Sequence, residues 1–323
     1  GLEIEGPHFD QWPPASHRLI FGDETNAAKI NIDQLVLRFA SRAFRQPIQP
    51  VEVKHYADFI RERIETGDSP ATAIKLGLAA VLTSPRFLYL DEGNDEADSR
   101  LTQFELASRL SYFLWSSMPD AELLSAAESG RLSRPDELTS QVDRMLRDEK
   151  ARAFVKHFTD SWLRINILGS MPPDLKAFGS YYDDRLETFF KQETRLFFAD
   201  LVESNGSIVN LLDSDYTFVN DAIARHYGID NVFGEHFRRV TLQPKHHRGG
   251  LLGQGSVLTL TANGIETSPV VRGVWVLENI FASPPSPPPP DVESLEPDTR
   301  GTTTIREQLD KHRNVAACAD CHR

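Results

Sequence analysis

The sequence predicts a mainly α-helical protein made of multi-helix bundle domains. Apolar residues recur at helical spacing over most of the 323 residues, and capping signals precede several of these runs. Strand-like patterns are confined to the opening residues 2–7 and to 238–242. A hydrophobic content of 40% is ample for a packed core, and the length allows one large domain or two to three small ones.

Three helices with short connections are expected first. Apolar residues at i, i+3, i+4, i+7 and i+8 form one stripe across 32–44, and a second stripe follows at 53–64. Ser69-Pro70 is typical of an N-cap followed by proline at the first helical position, which opens a third helix at 71–83. Residues 25–93 are therefore predicted to form a small helical bundle.

A larger helical domain is expected over 99–233. The polar stretch 91–99 has the composition of a linker, and Thr102 and Glu105 then predict a capping box that opens a helix through Trp115. Further elements of this domain are expected as apolar stripes at 138–145 and 154–162, a long aromatic helix from about 182 to 202, and a short helix at 219–227 capped by Gly228.

The pattern changes in the next segment, 234–282. Residues 238–242 predict a short strand, and 248–255 are rich in glycine. These glycines fit neither a Walker loop nor a dinucleotide fingerprint, so a tight loop or a close-packed helix start is expected. Ser268-Pro269 predicts a further helix over 270–281.

A proline run, 283–290, predicts a polyproline II spacer of about 3.1 Å per residue within a linker at 283–303. After it, Thr304 and Glu307 form another capping box that opens a helix to about His312. The last segment, 304–323, is thereby separated from the helical body.

Both cysteines of the chain lie in this last segment, in Cys318-Ala319-Asp320-Cys321-His322. The pattern fits the C-x-x-C-H signature for covalent attachment of a c-type haem. The spacing predicts that the thiols of Cys318 and Cys321 form thioethers with the haem vinyl groups and that His322 is the proximal axial ligand of the iron. The predicted cofactor is thus covalent haem c, with a distal ligand that the sequence does not specify.

Other interpretations of this motif remain open. Two cysteines can be half of a zinc site, but four-coordinate structural zinc needs two more ligands, which a distant pair such as His246 and His247 could supply. A redox dithiol is expected after a strand in a βαβ unit, and the approach to Cys318 has no such pattern. A structural disulfide would close only a very short loop.

The composition excludes several classes of function. A formal net charge of −12 argues against binding to nucleic acid or to an anionic membrane surface. No run of about 18 apolar residues is present to span a bilayer. Because only Arg323 follows His322 and the chain begins at Gly1, we expect a fragment of a longer protein, cut at both ends.

Two polar sites outside the motif are weaker candidates. Glu193 lies on the apolar stripe of the long helix, where it is either a tuned general acid or, as we favour, a structural ion pair with an arginine such as Arg248 or Arg272. His246-His247 would ligate a metal or haem iron, although a solvent-exposed pair is favoured.

The remaining candidate binding residues are three methionines and one aromatic segment. Met118, Met145 and Met171 are the methionines available as distal haem ligands, with packing or loop lining as their default role. Trp12-Pro13-Pro14 would stack on a sugar ring, or pack at a domain edge.

Several segments taken together resemble a known class of proteins. They are 214–220 with 226–229, then 247–256, Thr267-Ser268-Pro269 continuing to Trp275, the proline run and C-x-x-C-H. In this order they resemble the large exported planctomycete-type cytochrome c-like proteins, which are built from several domains of unknown function. The resemblance implies that 1–24 is the end of a β-sandwich module similar to carbohydrate-binding domains. It also implies a periplasmic or cell-surface location and further c-type haems elsewhere in the full protein.

The functional expectation is electron transfer by a c-type cytochrome-like protein. It would need a redox partner protein and would serve the oxidation or breakdown of extracellular polysaccharide-derived substrates. The alternative is a non-catalytic scaffold that binds glycans or partner enzymes. No G-x-S-x-G, H-E-x-x-H or convincing carboxylate pair supports a hydrolase.

Overall fold

The computed structural model describes residues 6, 8–90, 101–285, 304, 306, 307, 310 and 314. It confirms a mainly helical fold with one small sheet in this part of the chain. The helices are α1 (Ala15–Phe21), α2 (Ile32–Ala43), α3 (Pro50–Glu65), α4 (Pro70–Leu82), α5 (Pro85–Leu88), α6 (Gln103–Trp115), α7 (Ala121–Glu128), α8 (Pro135–Arg147), α9 (Arg152–Trp162), α10 (Gly179–Asp183), α11 (Leu186–Glu203), α12 (Asp221–Tyr227), α13 (Gly255–Leu260) and α14 (Pro269–Asn279). The strands are β1 (Tyr216–Val219) and β2 (Arg238–Thr241). None of these helices is long and apolar enough to cross a membrane.

Helix α1 lies within the segment 1–24, for which the resemblance implies the end of a β-sandwich module. Residues 15–21 are helical, and Ile20 and Phe21 pack against the apolar core of the bundle that follows. Residues 2–5 and 7, which carry the strand-like alternation, lie outside the described residues. The β-sandwich assignment of the segment therefore stays a prediction.

The bundle of α2, α3 and α4 forms as the stripes predict. Two of its helices begin at side-chain caps: the side chain of Asn31 accepts a hydrogen bond from the Gln34 amide at 3.1 Å, and that of Ser69 accepts one from the Thr72 amide at 3.3 Å. The core residues between the helices are all apolar: Leu35, Val36, Ala40, Ala43, Phe44, Ile48, Val53, Ala57, Ile60, Ala73, Ile74, Leu78 and Val81.

Arg45 closes one end of this bundle. Its backbone has a left-handed φ of 61°, and its guanidinium donates to the carbonyl oxygens of Arg86, Phe87 and Tyr89 at 3.0, 3.1 and 3.0 Å. The last carbonyls of a helix have no partner within the helix and form the negative end of its dipole. The buried cation therefore caps α5.

Helices α6 to α9 surround a second core. The predicted capping box is present, since Thr102 Oγ1 accepts from the Glu105 amide at 3.2 Å while the Glu105 carboxylate accepts from the Thr102 amide at 2.6 Å. The indole of Trp115 donates to the Met145 carbonyl at 2.9 Å, which ties α6 to α8. The buried members are Ala107, Leu114, Trp115, Leu123, Ala126, Ala127, Leu132 and Met145.

The third core is built around α11, which contacts α9, α10, α12, α13 and β1. The long helix begins at Leu186 rather than near 182, because Arg185 adopts a left-handed φ of 54° and separates it from α10. The predicted strand is confirmed at 238–241, where it pairs antiparallel with β1 and sets Tyr216 opposite Thr241. The expectation that a helix begins at Val219 is wrong, since Val219 ends β1 and α12 starts at Asp221.

The chain divides into two compact units, residues 1–267 and 268–323. In the second, α14 begins as predicted at Ser268-Pro269, with the Ser268 hydroxyl accepting from the Val271 amide at 3.4 Å. The predicted capping box further along is also present, since Thr304 Oγ1 accepts from the Glu307 amide at 3.2 Å and the Glu307 carboxylate accepts from the Thr304 amide at 3.0 Å.

Candidate functional site

The predicted haem site lies outside the described residues. The structure does not describe Cys318, Cys321 or His322. It also does not describe His312 or residues 286–303, which include most of the proline run and the linker. Thr304 and Glu307, which form the capping box, are among the described residues of this segment. The assignments to the motif therefore remain predictions that rest on the chemistry of two thiols and an imidazole at the right spacing.

The described part of the chain contains a second candidate site, a fully buried carboxylate on α11. Glu193 has 0% exposure. Its Oε1 accepts a hydrogen bond from the Thr217 hydroxyl of β1 at 2.6 Å, and its Oε2 accepts one from the Tyr227 hydroxyl of α12 at 2.6 Å. The Tyr227 oxygen in turn accepts from the Gly255 amide, the first residue of α13, at 2.6 Å. We call Glu193, Thr217, Tyr227, Arg248 and Gly255 the Glu193 cluster.

Burial dominates the electrostatics of this cluster. It raises the pKa of Glu193 to about 7, against the lowering effects of the two hydroxyls, of the Arg248 charge and of the Gly255 amide. Burial also raises the pKa of Tyr227 well above its usual range, and the nearby carboxylate adds to that shift. The carboxyl therefore changes charge near neutral pH, while the phenol stays protonated.

The direct partners of Glu193 correct the sequence expectation. We expected an ion pair with Arg248 or Arg272, but the groups bonded to the carboxylate are hydroxyls. Arg248 acts through its charge while its guanidinium stacks on the Tyr227 ring, 3.5 Å from the centroid. Arg272 belongs to the second unit. Arg248 thus lies on the Tyr227 ring and acts on Glu193 through its charge, in place of the expected direct ion pair.

A second polar layer lies next to the Glu193 cluster. Thr194 Oγ1 donates to Gln254 Oε1 at 2.8 Å and lies 2.6 Å from Ser256 Oγ. All three residues are buried. The Gln254 Nε2 and the Asn220 Nδ2 have no hydrogen-bond partner within the described part of the chain. Buried polar atoms of this kind are usually satisfied by an internal water.

The glycine-rich segment is used as the sequence suggests, for close packing at a helix start. A Cβ on Gly255 would lie 2.3 Å from the ring of Phe190 on α11, a distance that side chains do not tolerate. Phe190 also stacks on Tyr227 with 6.2 Å between ring centroids. Only glycine allows the amide of residue 255 to reach the Tyr227 hydroxyl in this position.

The histidine pair is not arranged as a metal site. His246 Nδ1 accepts from the Gln243 amide at 3.0 Å in a local cap, and His247 is exposed with a left-handed φ of 50°. No group of three or more His, Cys, Asp or Glu suited to a metal ion occurs within the residues that the structure describes. The favoured interpretation of an exposed pair fits His247, whereas His246 is half-buried.

The remaining candidates divide by exposure. Met145 is buried in the second core, so its side chain fills space as expected. Met118 is half-buried and Met171 is exposed. Trp12 is 69% exposed, with its ring centroid 5.8 Å from that of Phe9, so this aromatic pair is accessible to a ligand.

The Glu193 carboxylate and its partners Thr217 and Tyr227 are buried, which excludes direct contact of the carboxylate with a substrate in this conformation. Its chemistry is to hold or release one proton while joining α11, β1, α12 and α13. Sequence reasoning found Glu193 from its place on an apolar stripe but missed Thr217 and Tyr227. Their role depends on tertiary contacts 24 and 34 residues away along the chain, which no local pattern indicates.

Comparisons with protein families divide the chain into three matches. PSD5, a protein of unknown function (DUF1595), matches residues 31–92; PSD4, a protein of unknown function (DUF1592), matches 101–229; and PSCyt3, a protein of unknown function (DUF1588), matches 248–323. No curated protein and no solved structure matches the chain. The PSCyt3 match contains Cys318, Cys321 and His322. The chain therefore has the multidomain arrangement of planctomycete-type cytochrome c-like proteins, with domains of unknown function in the order PSD5, PSD4 and PSCyt3.

Proposed function

We propose that the chain is part of an exported c-type cytochrome-like protein that transfers electrons through a haem attached to its last residues. The observation that carries the proposal is the Cys318-to-His322 pentapeptide inside the PSCyt3 match, in a chain with no other cysteine. The cytochrome-like name of that family is further support. Haem c would supply one-electron transfer, with a separate redox protein as partner.

The residues of the motif fit such a group by their chemistry. Each thiol adds its sulfur to one carbon of a vinyl group and its hydrogen to the other, so attachment forms two thioethers without a change in the net number of electrons. Cys318 and Cys321, three positions apart, would hold the two sides of one porphyrin. The His322 imidazole would bind iron through one nitrogen and leave the other nitrogen free to donate a hydrogen bond.

Coexpression of the chain with a haem-maturation system tests this proposal. After denaturing electrophoresis, the wild-type band should stain for haem, because only covalently attached haem survives denaturation. The Cys318→Ala/Cys321→Ala double variant should yield pigment that is extractable, and His322→Ala should lose the low-spin absorption bands. His247→Ala, at an exposed position in the helical body, is the matched control and should stain as wild type.

Two outcomes would overturn the proposal. One is a colourless protein with both thiols open to alkylation. The other is one equivalent of zinc, lost in the cysteine variants and in a His246→Ala/His247→Ala variant, which would support the zinc interpretation.

A second candidate function is a binding scaffold for glycans or partner proteins, and an exposed aromatic surface favours it. Rings of α6, α9 and α11 touch one another, with Phe113 57% and Phe158 37% exposed and their shared neighbour Phe154 at 5.1 and 5.3 Å between centroids. Exposed apolar surface of this kind is typical of interaction sites. Binding of the chain to a glycan array, lost in Phe113→Ala and in Trp12→Ala, would support this function; a blank array would exclude the glycan form of it.

A further inference from the structure

The buried proton site lies where two family matches meet. Glu193, Thr217 and Tyr227 fall within the PSD4 match, whereas Arg248 and Gly255 belong to the first residues of the PSCyt3 match. All of them are in the same compact unit. The start of the family segment that ends in the haem motif is therefore packed into the core of the helical body.

We propose that Glu193 is a proton-controlled latch that holds the glycine-rich segment 248–256 against α11 and lets it open more readily as the pH rises. The inference goes beyond electron transfer and does not depend on haem. It assigns a conformational role to an acid that the proposed function leaves unused.

The latch is a chain of hydrogen bonds that connects α11, through α12, to the segment 248–256. We call the contact between this segment and α11 the joint. Glu193 on α11 accepts from Tyr227 of α12, and Tyr227 accepts from the Gly255 amide of the segment, both at 2.6 Å. Thr194, next to Glu193, bonds Gln254 and Ser256 on either side of Gly255. When the segment leaves α11, Tyr227 loses its amide donor and its Arg248 neighbour, and the carboxyl is opened to water.

Few charges face the carboxyl. From α12 come Tyr227 and His226, whose pKa is lowered by burial and then by the positive charge of Arg248. The segment contributes Arg248, and β1 contributes the uncharged Thr217.

The charged residues between α9 and α11 do not face the Glu193 carboxyl. There Asp160 is paired with Arg195, at 2.7 Å, and Arg195 lies on the opposite face of α11 from Glu193. Glu193 is therefore the acid in this joint whose charge changes between pH 5 and 7.

The sign of the pH effect follows from the pKa of the closed form. Burial raises the pKa of Glu193 from the ordinary 4.5 to about 7, so the closed form keeps a proton that the opened form releases. Release of this proton makes opening easier by up to about tenfold for each pH unit between these two values. Below about pH 6.5 the slope should be smaller, because His226 takes up a proton when Arg248 leaves it. Below about pH 4.5 and above about pH 7 Glu193 carries the same charge in both forms, and its contribution should vanish.

Hydrogen exchange of the whole chain, read by mass spectrometry and corrected for intrinsic rates, tests the latch between pH 5 and 8.5. In wild type, protection of the 250–260 amides should fall by up to about tenfold per unit as the pH rises to about 7 and then stay level. In Glu193→Gln this fall with rising pH should be absent, which leaves only the opposite and smaller effect of His226. Glu187→Gln, which removes a half-buried carboxylate paired with Lys191 in the first turns of the same helix, should retain the wild-type slope.

Three outcomes would overturn the inference: a flat wild-type profile, an unchanged slope in Glu193→Gln, or an equal slope in the amides of α2 to α4, which would indicate global unfolding instead of local opening. If Glu193→Gln does not fold, Tyr227→Phe serves instead. It keeps the acid but loses the bridge, so protection of 250–260 should be lower at every pH while a slope remains. A loss confined to haem staining would bear on the proposed function and leave this result untouched.

Discussion

The N-terminal bundle and the region around α11 are both built from helices with apolar stripes, but they differ in what they bury. The bundle has an apolar interior, whereas the region around α11 also buries polar side chains. The bundle core of α2 to α4 is entirely apolar, and its one buried cation, Arg45, lies at the edge, where it binds the carbonyls of α5. The region around α11 buries Glu193, Thr194 and Gln254 at its centre. In the bundle, stability comes from apolar area and local caps; around α11 it depends on hydrogen bonds that join four elements.

This difference indicates which region should change its stability with pH and which should not. Apolar burial has no titratable component, so the bundle should respond to temperature and denaturant but not to pH in the neutral range. A buried carboxyl with a pKa near 7 makes the second region responsive to pH. Three predictions can break or sharpen this contrast.

The largest effect is expected from Ile60→Ala in the bundle. Ile60 has 0% exposure, and its side chain fills the space beside Gly77, so truncation leaves a cavity. The free energy of unfolding should fall by about 2–5 kcal/mol, measured by urea denaturation with pH-independent midpoint differences. Val51→Ala, at a 77% exposed position of the same helix, should change it by less than about 0.5 kcal/mol. A comparable loss in both variants would contradict the apolar-core account.

Tyr227→Phe should have the next largest effect. It leaves Glu193 Oε2 without its donor and the Gly255 amide without its acceptor, both in a buried place. Stability should fall by about 1–3 kcal/mol in thermal or urea unfolding. Tyr56→Phe, at a half-buried position against the apolar bundle core, is the control and should be nearly neutral. Equal results for the two tyrosines would mean that the hydroxyl of Tyr227 does not stabilise the joint.

The smallest effect is expected at the helix caps, a device that both regions share. Ser69→Ala in the bundle and Asn220→Ala at the start of α12 each remove a side-chain acceptor for a first-turn amide. A loss of about 1 kcal/mol is expected at Ser69 by calorimetry. Because Asn220 is buried and Ser69 is exposed, Asn220→Ala should cost more. A reversed order would show that burial does not strengthen the cap.

Sequence reasoning succeeded where the signal is local. The stripes at 32–44 and 53–64, the Ser69-Pro70 start and the Thr102–Glu105 box all predicted helices that the structure confirms. It failed at β1, although Tyr216–Val219 is aromatic and β-branched and has Asp, Ser and Asn on both sides, because so short a run becomes a strand through its pairing with the distant β2. It also failed on the partners of Glu193, since the bond to Tyr227 requires α11 and α12 to pack together.

The packing of Gly255 against Phe190 bears on how such proteins are cut into pieces for expression and how they recombine in evolution. A module that is exchanged between genes must contain its own hydrophobic core to fold in a new protein. A fragment beginning at residue 248, where the PSCyt3 match starts, would uncover Leu251 and Val257, which are 1% and 0% exposed in the intact unit. Soluble expression should therefore favour fragments that end after residue 267, and relatives that exchange this segment should have inherited α11 along with it.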